Sequence, residues 1–189
     1  MSALIFPLSL LVLLLLVLSI IWRINARKYI SSSTVASAYD AWTQDKLLER
    51  LWGEHIHLGF YPSGKNNIDF RKAKVQFVHE LVKWSGLDKL PRGSRILDVG
   101  CGIGGSSRIL SKYYGFNVTG VTISPAQVKR ARELTPYELN CNFQVMDALN
   151  LKFEDGSFDA IWSVEAGAHM NDKSKFADEM LRTLRPGGY

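Results

Sequence analysis

Twenty consecutive positions, Ala3 to Trp22, carry no charged side chain. A helix of that length rises about 30 Å, the hydrocarbon thickness of a bilayer. The nearest charges follow the apolar run, at Arg23, Arg27 and Lys28. A cleavable signal peptide has a basic start, a shorter apolar run and a small-residue cleavage site. Val35-Ala36-Ser37-Ala38 offers small residues of that kind but lies beyond the charges. The pattern predicts one uncleaved transmembrane helix. Its basic flank belongs on the cytoplasmic side, so the N-terminus is expected outside and the rest of the chain inside. Trp22 and Tyr29 suit the interfacial aromatic belt.

Beyond the apolar run, Ser31-Ser32-Ser33-Thr34 reads as a short linker, and a segment with Trp and His follows from Tyr39 to Tyr61. Phe70, Ala73, Phe77, Val78, Leu81 and Val82 recur at helical spacing, with Arg71, Lys72 and Lys83 off that face. Pro91-Arg92-Gly93 ends the helix with turn chemistry. From Arg95 the pattern changes to short β-type runs, 95–99, 117–121, 142–146 and 158–163, alternating with helical stretches. The first of these helices ends at Gly115, the next begins at Ser124-Pro125, and another carries Phe176, Ala177, Met180, Leu181 and Leu184 behind Asp172 as a cap.

Alternating strands and helices imply an α/β fold, a parallel sheet covered by helices and joined by right-handed crossovers. About four strands are visible. Arg185-Pro186-Gly187-Gly188-Tyr189 is a turn that would deliver the chain into another strand, so a truncated domain is expected. The organisation expected is an anchor and basic flank over 1–28, a linker and helical cover over 29–92, and the sheet domain over 93–189.

Composition adds little to this outline. At 189 residues the chain suits one core with an appendage, and its 47% hydrophobic content is ordinary. The net charge of +5 is scattered over the part after the apolar run. That distribution fits a solvated surface facing anionic lipid; nucleic acid would call for a denser basic stripe interleaved with aromatics, and is not expected as a partner. Cys101 and Cys141 form neither metal-ligand spacing nor a disulfide framework. His55 and His57 lack further ligands in view, so no metal is expected.

Candidate chemistry begins at Asp98-Val99-Gly100-Cys101-Gly102-Ile103-Gly104-Gly105, which joins the first strand to the first helix of the alternating region. Glycines there permit a tight turn and let backbone N–H groups approach a ligand, and strand ends of such sheets form the binding crevice. A dinucleotide fold uses the same logic. Asp98, two residues before the first glycine, favours a cationic, amino-acid-bearing ligand, because a carboxylate at the loop entrance repels pyrophosphate. A nicotinamide fold would also carry a ribose-binding acid roughly 20 residues beyond the loop, and none stands there.

The same loop, extended through Ser106-Ser107-Arg108, resembles motif I of class I S-adenosylmethionine-dependent methyltransferases. Trp162-Ser163-Val164-Glu165-Ala166-Gly167-Ala168-His169-Met170 and Leu184-Arg185-Pro186-Gly187-Gly188 resemble two later motifs of that class. With Trp52-Gly53-Glu54-His55-Ile56-His57-Leu58-Gly59-Phe60-Tyr61 they resemble the tocopherol methyltransferase group, and within it the cyanobacterial branch that methylates a prenylated benzoquinol and carries an N-terminal apolar segment.

The resemblance implies a Rossmann-like domain that binds S-adenosyl-L-methionine, with Asp98, Gly100, Gly102 and Gly104 around the methionine part. Where the family usually places an acid for the ribose hydroxyls this chain has Thr122, and Gln127, one helical turn on, is the candidate for the second hydrogen bond. Threonine is also favoured in strands for its own sake. Asp147 and Ala148 stand where the adenine amino group is held, although an aspartate there also serves as a helix cap. Ser163, Glu165 and His169 would face the transferred methyl. His169 is the candidate base, with Glu165 orienting it or acting itself.

The implied reaction is C-methylation of a prenylated hydroquinone in tocopherol and plastoquinone formation. The alternatives are a γ-tocopherol, sterol or other lipid acceptor, or a non-catalytic membrane-tethered module.

Overall fold

The computed structural model describes residues 5–25, 32–63 and 67–189, with the side chains of 5–9, 21–25 and 32 excepted. Helix α1 spans Ile5–Asn25. Its described side chains, Leu10 to Ile20, include a run of half-exposed Leu and Val from 10 to 18. Counting described residues, no helix is long and apolar enough to cross a membrane. The expected flank and belt residues Trp22, Arg23, Arg27, Lys28 and Tyr29 lie outside what is described.

Ser32–Gln44 forms helix α2, so the polar run read as a linker opens a helix instead. Ser37 Oγ donates to the Ser33 carbonyl and Thr43 Oγ1 to that of Tyr39, so hydroxyls that look like loop chemistry bond back along the helix. A short helix α3, Leu47–Trp52, was not signalled by the pattern. Helix α4, Phe70–Ser85, is capped by Asp69, which accepts from the Arg71 and Lys72 amides. It ends at Gly86 in the left-handed region.

The sheet contains β1 (Arg95–Val99), β2 (Asn117–Thr122), β3 (Cys141–Val145) and β4 (Ala160–Trp162). It is fully parallel in the order β3-β2-β1-β4. The intervening helices are α5 (Gly105–Tyr114) and α6 (Pro125–Leu134), and α7 (Lys173–Thr183) follows β4. This is a Rossmann-like arrangement. Gly115 ends α5 with φ 72°, and Ser124 caps α6 by accepting from Gln127 N, with Pro125 in the first turn. Asp172 caps α7 through Lys175 N. All three signals were readable in the sequence.

Period-two alternation distributes β1 between two cores. Ile96 packs with Val78 and Val82 of α4 and Leu110 of α5, while Leu97 and Val99 pack on the other face with Phe158 and Phe176. The segment expected as a strand over 158–163 is shorter at both ends, although Phe158 bridges Leu184 in parallel. Tyr189 then hydrogen-bonds along the outer edge of β4, its N–H to the Asp159 carbonyl and its carbonyl to Ile161 N. The final turn thus delivers the chain alongside the sheet, as its composition suggested.

Candidate active site

Strand order reverses at β1, because the chain adds β2 and β3 on one side and β4 on the other. Such a switch point opens a crevice beyond the carboxyl ends of the strands. The loop after β1 enters it with Gly100 at φ 80° and Gly102 at φ 56°, a region open to glycine at little steric cost. Above the crevice lie α2 and the segment 54–57. The cavity measures about 530 Å³, within the range of small-molecule sites.

Nine of the eleven residues singled out from sequence line this cavity: Asp98, Gly100, Gly102, Thr122, Gln127, Asp147, Ala148, Glu165 and His169. The other two, Gly104 and Ser163, stand outside its lining. Gly104 sits behind the loop as the left-handed cap of α5, and a Cβ there would meet the Phe143 ring and the Arg108 guanidinium. Gly105 is the one that lines the cavity; it lies under His55 and the Glu54 carbonyl, where a Cβ would fall 2.7 Å from that oxygen. Ser163 does not line the cavity either; its Oγ donates to the Val99 carbonyl at 3.0 Å and ties the ends of β4 and β1 together.

Asp98 is buried to 2% exposure and accepts one hydrogen bond, 2.6 Å from Ser107 Oγ. Loss of water raises its carboxyl to about 7, against the weaker lowering by that hydroxyl. At the end of β2, Thr122 Oγ1 donates to Gln127 Oε1 at 2.7 Å. Thr122 Oγ1 also accepts from Ser124 N at 3.4 Å, so the amide nitrogen of Gln127 and one lone pair of Thr122 remain for a ligand hydroxyl. Asp147 combines both roles open to it, lining the cavity while Oδ1 accepts from Leu149 N at 2.9 Å.

After β4 the backbone turns sharply. Glu165 takes φ 57°, an uncommon conformation for a residue with a side chain, and begins a 3-10 turn, Ala166–His169. Its carboxylate accepts from Leu58 N at 3.0 Å, so it holds the covering segment instead of orienting His169. His169 Nε2 instead lies 2.9 Å from the hydroxyl of Tyr39 on α2. Tyr39 also lines the cavity and was absent from the expected site residues.

The cover is tied down from several sides. Arg108 on α5 donates to Glu54 Oε2 at 2.6 Å and to the Ile103 carbonyl of the glycine loop at 2.8 Å. Asp40 of α2 accepts from Ala126 N at 3.0 Å and from Ser124 Oγ, adding a second cap to α6. His57 Nδ1 donates to the Leu58 carbonyl, so its Nε2 must accept from His55 Nδ1, 3.1 Å away. Burial lowers both imidazoles, His55 to about 3, and keeps them neutral. No cluster of three or more metal-ligating side chains occurs among the described residues.

Sheet order, switch-point crevice and glycine loop together make a Rossmann-like α/β domain of the kind class I methyltransferases share. Residues 97–189 match the model of a family described as a methyltransferase domain. The chain is 57% identical over 98% of its length to the 2-methyl-6-phytyl-1,4-hydroquinone methyltransferase of Synechocystis and spans 58% of that relative. Among solved structures it matches the cyclase SpnF with a TM-score of 0.74 and 28% identity, over 84% of this chain and 58% of that one. It also matches phosphoethanolamine N-methyltransferase 2 of Haemonchus contortus in complex with S-adenosyl-L-methionine, with a TM-score of 0.62 and 25% identity, over 85% of this chain and 34% of that one.

Proposed function

We propose that this protein is an S-adenosyl-L-methionine-dependent methyltransferase acting on a ring carbon of a prenylated hydroquinone of the 2-methyl-6-phytyl type. One observation carries the reading: a single cavity joins Asp98, the Thr122–Gln127 pair and Asp147 to the Tyr39–His169 pair. The first group suits the donor and the second a phenolic acceptor.

The residues fit the cofactor. Asp98, a buried carboxylate with one hydroxyl partner, has capacity for the α-ammonium group. Nothing lies within 4 Å of a Cβ built on Gly102, so its backbone is open to close approach. Thr122 and Gln127 suit the ribose hydroxyls, and Asp147 an amino donor such as that of adenine. When bound, the cofactor supplies an electrophilic methyl group on a sulfonium, with a thioether as leaving group.

Tyr39 and His169 then act on the acceptor. A hydroquinone hydroxyl placed against Tyr39 Oη passes its proton through the phenol to His169 Nε2, which raises electron density on the neighbouring ring carbon. That carbon forms the new bond with the ring's electron pair and afterwards releases its own proton, restoring aromaticity. Ile56, Met146, Leu149 and Met170 line the cavity with apolar surface and exclude water from the reacting atoms.

The uncharged run from Ala3 to Trp22 serves as a single-pass anchor, with Arg23, Arg27 and Lys28 keeping the methyltransferase domain on the cytoplasmic side. An acceptor with a lipid-dissolved tail then needs to bring only its head group to the crevice. The test is transfer of labelled methyl to 2-methyl-6-phytylhydroquinone, beside a titration with the cofactor. Binding without transfer would favour the tethered binding module, and transfer to γ-tocopherol alone would move the acceptor to the related lipid.

A further inference from the structure

The surface beside the cavity mouth is unusually apolar for a water-facing cover. Leu58 is 75% exposed, Trp52 49% and Ile56 44%, and Leu51, Phe60 and Phe70 are also open. These side chains form one patch. Trp52 and Phe70 meet edge to face at 6.3 Å, Phe60 N donates to the Ala73 carbonyl in the first turn of α4, and Arg71 Nη2 donates to the Arg50 and Leu51 carbonyls at the end of α3. Ile56 belongs both to the patch and to the cavity lining.

We propose that this patch, built from α3, the 56–60 segment and the start of α4, is a second membrane contact that seats the cavity mouth on an anionic lipid surface. The inference rests on the reading of a lipid-borne acceptor and an anchored chain. Three observations favour lipid over another occupant.

Cations rim the patch at Lys46, Arg50, Arg71 and Lys72, and Lys74 Nζ lies over the Trp52 and Phe70 rings at 5.5 and 5.2 Å. Glu49 and Glu54 are paired with Arg130 and Arg108, while Asp45, Asp69 and Glu165 accept backbone N–H bonds and keep their charge, three acids against these five cations. The face presented is therefore basic and apolar together, which anionic lipid complements. Second, six residues, 26–31, join α1 to α2, a reach of at most about 25 Å even when extended. The cover therefore cannot stand far from an anchor at α1. Third, Ile56 is both 44% exposed and part of the cavity lining, so an apolar tail leaving the site past it would meet the patch before water.

The test uses the full chain in nanodiscs, with Cys141→Ser to leave buried Cys101 as the remaining native thiol. A fluorophore is placed at Leu58→Cys or, as a control, at Trp84→Cys. Trp84 is 84% exposed and lies fourteen residues along α4 from Phe70, about 21 Å of rise. Lipid-borne nitroxide should quench position 58 severalfold more than position 84, with the difference growing as phosphatidylglycerol replaces phosphatidylcholine. Lys46→Glu with Lys72→Glu should remove that dependence on anionic lipid. A label at 58 that stays in water overturns the proposal, as does one that is apolar yet unquenched, which would mean cover by protein such as a second copy. Flotation with lipid and cofactor binding are scored separately, so failure of the anchor or of the methyltransferase reading is distinguishable from failure of the patch.

Discussion

The hydroxyl of Tyr39, on the helix that follows the N-terminal apolar segment, lies 2.9 Å from Nε2 of His169, which stands 130 residues further along the chain after β4. The contact joins the cover to the crevice within the cavity lining, at the place proposed for the acceptor. If the two side chains form one proton path, removing either interrupts the same step. Tyr39→Phe and His169→Gln should each lower single-turnover methyl transfer about 100-fold, with cofactor affinity unchanged. The double variant should be no slower than the worse single. Losses that multiply instead would mean the residues act separately.

With Asp98 at the cofactor's amino group, as proposed, cofactor binding should be sensitive to pH. The Asp98 carboxyl is raised to about 7 by burial, and a cationic amino group arriving against it favours the ionised form. Below that value binding must first remove a proton. Affinity should therefore weaken on acidification from pH 8, with a limiting slope of about tenfold per pH unit. Asp98→Asn should weaken binding by about 100-fold at pH 8, on the order of 3 kcal/mol, and flatten the profile. Calorimetric titration across pH 6 to 8 checks both.

Stability carries a compensation between the same carboxyl and the buried histidines. With its native value raised from 3.8 to about 7, Asp98 holds a proton in the folded chain that the unfolded chain has released, so its contribution falls as pH rises through that window. His55, lowered from 6.5 to about 3, does the reverse: the unfolded chain binds the proton, and stability climbs with pH up to about 6.5. His57 is lowered too and adds to the climb. Between about pH 4 and 6.5 the two trends oppose each other. Asp98→Asn removes the falling one, so its melting temperature should rise more steeply over that interval than that of the parent chain. Parallel curves would show that Asp98 stays ionised in the fold.

What could be read from sequence was what local chemistry encodes. Ser124-Pro125 and Gly115 each mark a helix end through their own backbone preferences, and both ends fall there. Asp98 and Thr122 belong to strand ends, where periodicity and turn residues set the position to within a residue or two. Tyr39 and Asp40 had no such signal. They sit in a helix whose Ser- and Thr-rich start imitates a linker, and their partners are distant in sequence. Glu165 was expected to orient His169 or to act itself, but the left-handed turn at Glu165 sends its carboxylate to Leu58. Trp84 is 84% exposed because it falls off the buried face of α4. Composition and spacing cannot say which of two adjacent glycines faces a ligand; the packing of Phe143 and Arg108 against Gly104 decides that.

Two glycines of the loop therefore predict different outcomes for one substitution. Gly100 has φ 80°, and a Cβ built there collides with that of Ala166, which belongs to the turn after β4. Gly100→Ala must carry both the left-handed penalty and the clash, and should lower stability by about 2 kcal/mol or more. Gly102 has φ 56° and open space around the same built atom, so Gly102→Ala should lower stability by only about 1 kcal/mol. That open space is cavity, and the added methyl occupies the approach of a ligand to the backbone. Gly102→Ala should therefore lose more in cofactor affinity than in stability, and Gly100→Ala the reverse. Melting curves with and without saturating cofactor separate the two: the ligand-induced rise should shrink sharply in Gly102→Ala. If that rise matches the parent chain, the cofactor does not approach the loop at Gly102.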